Sequence, residues 1–99
     1  MKRLEQIARQ FDLKDVINML TEYDIIHQAM PQLKGKLSGL VQYDRKRIFV
    51  DTEQDFSQRR NTIIHELLHI YSRVKLLKLT EEQIKELAGI IERREYDRI

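Results

Sequence analysis

The residues best equipped for chemistry in this chain are His65, Glu66 and His69, in the run His65-Glu66-Leu67-Leu68-His69. Two histidines four apart on a helix share one face, one turn apart, where both imidazoles can bind a single divalent ion. Glu66 lies about 100° further round, close enough to address a metal-bound water without being a ligand. Zinc lowers the pKa of such a water to about 7, and a carboxylate beside it can take the proton and pass it on. The chemistry implied is hydrolysis at one Zn²⁺ per chain, with Glu66 as general base. The chain has no cysteine. Thiolate sites and disulfides are therefore excluded, and any metal must be held by imidazole and carboxylate.

The neighbours of this run separate a working site from a chance pattern. Gln58, Asn61, Thr62 and Ser72 share the histidine face. Ile63, Ile64, Leu67, Leu68, Ile70, Tyr71 and Val74 cover the other sides. A helix apolar over most of its girth is buried. Histidines packed in a core would have apolar neighbours on their own stripe, so a polar stripe points to a cavity.

Two histidines leave a catalytic zinc site one protein ligand short. His27 is the only other histidine and lies in a different region, so a carboxylate of the last helix is the better candidate. Glu81, Glu82, Glu86, Glu92 and Glu95 compete. If the last two helices pack antiparallel, His69 lies roughly 7–8 Å from the turn and Glu86 roughly 9 Å from it, at 1.5 Å per residue. Glu81 and Glu82 sit close to the turn, where they suit the positive end of the helix. Glu86 is the preferred third ligand on this reading, with Glu82 next.

The elements that must hold these groups follow from periodicity and punctuation. Leu4, Ile7, Ala8 and Phe11, then Leu13, Val16, Ile17 and Leu20, predict one bent helix or two short ones over 2–22, broken near Asp12. Ile25, Ile26 and Met30 lead to Pro31, which ends that region. Gly35 and Gly39, the β-type runs Leu40-Val41 and Ile48-Phe49-Val50, and the Asp44-Arg45-Lys46 turn predict a hairpin. Ser57 is the expected N-cap of the histidine helix, which runs to about Val74. Thr80 and Gln83 form a capping box for the last helix, with Leu79 and Ile84 placed as a hydrophobic staple. The fold class is α+β in a single domain spanning 1–99.

Composition narrows the function classes. Residues are 41% hydrophobic and 34% charged, a globular balance. The 18 basic residues are interspersed with 16 acidic ones, so the Arg59-Arg60 and Arg93-Arg94 pairs read as solvated helix faces, not a nucleic-acid stripe. No apolar run approaches the roughly 18 residues of a membrane span. Met1-Lys2-Arg3 runs straight into an amphipathic pattern, unlike a signal peptide, and the expected location is the cytoplasm.

From Gly39 to Ile91 the chain resembles the gluzincin metallopeptidases, above all the small ImmA/IrrE-type proteins and minigluzincins. The likeness rests on Arg47-Ile48-Phe49-Val50-Asp51, on Ser57 through His69, and on the acidic helix that follows. It implies a compact zincin-like fold: a small twisted sheet, an active-site helix and a glutamate helix. It implies His65 and His69 as zinc ligands, Glu66 as general base and Glu86 as the closest match to the third ligand. It also implies that an edge strand beside the cleft binds an extended peptide, a role expected here of Ile48–Asp51. Tyr23, His27, Tyr43, Tyr71 and Tyr96 are the open candidates for an oxyanion donor. The expected activity is zinc-dependent cleavage of a peptide or protein substrate. Self-association is possible, as is self-inhibition by the N-terminal helices or by the tail from Arg93 to Ile99. The alternative is a non-proteolytic regulatory module, of phage or repressor-interacting type, on the same framework.

Overall fold

The computed structural model describes residues 3–29 and 39–96. The N-terminal periodicity resolves into two helices, α1 (Arg3–Gln10) and α2 (Leu13–Glu22). Asp12 divides them, as expected. Its carboxylate accepts the Asp15 amide at 3.1 Å, and the Asp15 side chain accepts the Asp12 amide in return.

Ile25 and Ile26 do more than lead out of the helix. They lie in a strand, β1 (Asp24–Gln28), which pairs in parallel with a strand further along the chain. Met30, Pro31 and Gly35 lie outside the described residues. The expected hairpin is present as β2 (Gly39–Gln42) and β3 (Arg47–Asp51), antiparallel, with Leu40 opposite Phe49 and Val41 opposite Ile48. Lys46 completes the hairpin turn in the left-handed region, at φ 53°.

The sheet order is β1-β3-β2. This overturns the expectation that Ile48–Asp51 is a substrate-binding edge. That run is the central strand, its hydrogen-bonding groups already shared with β1 and β2. Ile48 and Val50 are fully buried instead. Without β1 in view, the hairpin has two candidate edges; once β1 joins β3, β2 is the hairpin's remaining edge among the described residues.

The histidine helix is α3 (Phe56–Val74). Its N-cap is Asp55, two residues earlier than the expected Ser57. Asp55 accepts the Gln58 amide at 2.8 Å, and Gln58 accepts the Asp55 amide at 3.1 Å. Gln58 completes the reciprocal bond that a cap at Ser57, followed three residues later by Arg60, would lack. Arg59 then reaches back to the carbonyls of Gln54 and Thr52, at 3.0 and 2.8 Å, and Thr62 bonds the Gln54 side chain at 2.8 Å. These bonds clamp the start of α3 to the end of β3.

The last helix, α4 (Glu81–Tyr96), begins at the expected capping box. Thr80 Oγ1 accepts the Gln83 amide at 3.1 Å and Gln83 Oε1 accepts the Thr80 amide at 2.9 Å. Leu67, Leu68, Ile70 and Tyr71 of α3 share one core with Ile84, Leu87, Ala88 and Ile91 of α4, the inner side of β3, and α1. Complete burial of Leu68, Ile84 and Leu87 contributes about 1.5–3 kcal/mol each. Arg94 joins α4 to the end of α1 by donating to the Ala8 carbonyl at 2.6 Å. Among the described residues the architecture is α+β, four helices with a small mixed sheet. Among the described residues, no helix is long and apolar enough to cross a membrane.

Candidate metal centre

A cleft of about 760 Å³ opens between β2, α3 and the first turns of α4. Of the polar stripe anticipated on α3, Asn61 and Thr62 line it together with His65, Glu66 and His69, whereas Gln58 pairs with the Asp55 cap and Ser72 is buried. Leu67, Leu68, Ile70 and Tyr71 turn another side of that helix into the core, while Ile63 and Ile64 are half-buried and Phe56 and Val74 are exposed. The same helix supplies both packing and the site.

His65 and His69 meet as their spacing requires. Their Nε2 atoms lie 3.2 Å apart, with the rings edge to face. The third member of the cluster is Glu81. Its Oε1 is 2.6 Å from His65 Nε2 and its Oε2 is 2.9 Å from His69 Nε2. The carboxylate thus bridges the two imidazoles.

Glu86 is not part of this cluster, nor is Glu82; both side chains are exposed. The reason lies in which face of α4 is buried. Ile84, Leu87, Ala88 and Ile91 set its inward side. At about 100° per residue, Glu86 lies roughly 150° from the centre of that side, whereas Glu81 and Glu92 lie on the flank beside α3. Glu92 accordingly accepts from Asn61 Nδ2 at 3.0 Å. Comparing heights along two helices brought Glu86 level with the histidines but left out its direction. The full inward set of α4 was the available signal for Glu81.

The donor set suits a metal ion. One donor atom each from His65, His69 and Glu81 all lie within 4.8 Å of one another. A tetrahedral ion with bonds of about 2.0–2.1 Å separates its donors by roughly 3.3–3.4 Å, close to the spacing of the two imidazole nitrogens. Burial pushes the His65 imidazole below its usual pKa, against the pull of Glu81. A neutral imidazole is the form that binds metal. Partial burial works to raise the Glu81 carboxyl, but the charge and hydrogen bonds of the two imidazoles hold it below the usual range.

Glu66 has the opposite environment. It is 9% exposed, and burial, reinforced by the nearby Glu81 charge, pushes its pKa up to about 7. Two carboxylates facing one cleft are therefore tuned apart. One is an anion beside the histidines and the other is poised to exchange a proton near neutral pH.

The remaining candidates separate by place. His27 lies on β1 and lines a different, largely apolar hollow on the far side of α3. Tyr23 and Tyr71 are buried, the latter edge-on to Phe11. Tyr43, in the hairpin turn, lines the metal cleft, with the Arg73 guanidinium 4.3 Å from its ring centroid. The side chain of Tyr96 lies outside the described residues.

Comparison with known proteins decides the lineage. Residues 19–96 match the model of the peptidase M78 family, described as the IrrE N-terminal-like domain. The chain belongs to the peptidase M78 family. No curated protein and no solved structure gives a match. The M78 match covers β1, the hairpin, α3 and α4, and so includes the whole His65–His69–Glu81 cluster. It leaves α1 and the first half of α2 outside. Within this M78 chain, residues that line the cleft come from the matched region.

Proposed function

We propose that the protein is a zinc-dependent metallopeptidase, with His65, His69 and Glu81 as the metal ligands and Glu66 as the general base. The observation that carries this reading is Glu66. A buried carboxyl lining the same cleft as His65, His69 and Glu81 serves hydrolysis, whereas a purely structural metal site has no use for it. Zinc in this site supplies Lewis acidity toward a carbonyl oxygen and toward water. Glu66 accepts a proton from the attacking water as the new C–O bond forms. It then delivers that proton to the departing amine as the C–N bond breaks, leaving a carboxylic acid and an amine.

Other residues prepare the substrate. β2 is the sheet edge that lines the cleft, and an extended peptide added beside it would run past Glu66. Gly39 keeps that edge close to α3. A Cβ at this position would stand 2.5 Å from Thr62 Cγ2 and 3.4 Å from Glu66 Cγ. Tyr43 is the cleft tyrosine, and its hydroxyl is our choice of donor to the developing oxyanion.

The test is turnover of an unfolded protein substrate by zinc-loaded wild type and Glu66→Gln. The variant should keep its zinc and lose activity by about 10²–10⁴-fold. A wild type that binds zinc but cleaves no peptide in a broad substrate panel would favour the regulatory-module reading instead.

A further inference from the structure

Six residues lead into Glu81, and with the buried face of α4 they set where it stands. α3 ends at Val74, and Lys75 to Thr80 connect it to α4. The Leu77 amide donates to the Ser72 carbonyl at 2.9 Å and the Leu76 amide to the Arg73 carbonyl at 3.3 Å. These two bonds, with Leu76 at φ 54°, form a Schellman turn in which leucine occupies the position usually given to glycine. Lys78 repeats the left-handed conformation at φ 54°. Two non-glycine residues in that region work against the strap's geometry, by roughly 1–2 kcal/mol each. Something must hold it.

Three bonds do so. Ser72 is buried, at 7% exposure, and uses both its oxygens. Its carbonyl takes the Leu77 amide and its Oγ takes the Leu79 amide at 3.2 Å. From the other side, Arg3 of α1 donates through Nη2 to the Leu77 carbonyl at 2.6 Å. Leu77 is thus fixed at both its amide and its carbonyl. The last anchor, the Leu79 amide, lies two residues before Glu81.

We infer that Ser72 and Arg3 are positioning residues for the metal centre, pinning the strap so that the Glu81 carboxylate bridges His65 and His69. This rests on the metal-site reading above, and it gives α1, which lies outside the family match, a part in the site. Neither residue touches the metal donors. The strap is the route by which they act.

Two readouts test it. Zinc affinity would be measured by chelator competition for wild type, Ser72→Ala, Arg3→Ala, Arg3→Lys and Arg94→Ala. Amide exchange at Leu77 and Leu79 would be followed in the metal-free proteins. Ser72→Ala should weaken zinc about 10-fold or more, in the range for lost outer-shell partners. Arg3→Ala should weaken it less, and Arg3→Lys should recover most of that loss. Leu79 exchange should quicken in Ser72→Ala while exchange in the core of α3 does not change. Arg94→Ala also loosens α1, but away from the strap, and should keep wild-type affinity. Wild-type affinity in Ser72→Ala and Arg3→Ala would overturn the inference and leave the metal-site reading standing. An equal loss in Arg94→Ala would also overturn it, as a general effect of packing. No zinc bound by wild type would overturn both.

Discussion

Helices α3 and α4 both contribute to the His65–His69–Glu81 cluster, but they do so by different means. On α3 the two histidines are placed by the helix itself. A four-residue spacing fixes their separation, and the apolar residues around them fix which way they face. On α4 the position of Glu81 depends on a connection with two left-handed residues, on the bonds that hold it, and on the inward face of a second helix. Geometry within an element survives almost any context. Geometry between elements exists only while the connection is held.

Three perturbations sharpen this contrast. The largest effect concerns Glu66 on α3 in the metal-free protein. Its folded pKa is raised from 4.5 to about 7, so the neutral form is favoured by folding. Its contribution is complete below about pH 4.5 and is lost as pH rises through about 7. Glu66→Gln should therefore match wild type near pH 4.5 and be the more stable protein at pH 8, by at most about 3 kcal/mol. Urea unfolding at the two pH values measures this. A stability difference independent of pH would contradict the burial assigned to the carboxyl.

Next comes Gly39, where β2 meets α3. Alanine places a methyl group against Thr62, and either the strand or the helix must yield, at a cost of about 1–3 kcal/mol. Turnover should fall while zinc affinity holds, because the histidines and Glu81 do not depend on β2. Parallel loss of zinc would mean that the two halves of the site are not separable in this way. The smallest effect falls on the start of α4. Thr80→Ala removes one cap bond and should lower stability by about 1 kcal/mol. It should also weaken zinc binding a few-fold by fraying the turn that carries Glu81. Loss of stability with unchanged zinc affinity would show that the strap, and not the cap, sets that carboxylate.

The same contrast explains what could be read from the sequence. The His65–Glu66–His69 stripe, the break at Asp12, the β2–β3 hairpin and the Thr80–Gln83 cap are all local patterns, and each stands where expected. β1 was missed because Ile25 and Ile26 form a short apolar run whose partner is more than 20 residues away in a parallel pairing. The central position of β3 follows from β1 and is hidden from a local reading for the same reason. The start of α3 was misplaced by two residues because Asp55 and Ser57 are both good caps, and only Gln58 distinguishes them. From the sequence, Glu81 reads as a charge serving the helix N-terminus, a role its position also permits. Separating the two roles required the rotation of α4 about its axis, which depends on packing.

The most direct test of the account is zinc binding by metal-free wild type, Glu81→Ala and Glu86→Ala, measured side by side by chelator competition. The account predicts one zinc per wild-type chain and the same affinity in Glu86→Ala. It predicts a loss in Glu81→Ala greater than the roughly 10–100-fold typical of an outer-shell partner. Wild-type affinity in Glu81→Ala, or a comparable loss in Glu86→Ala, would contradict it.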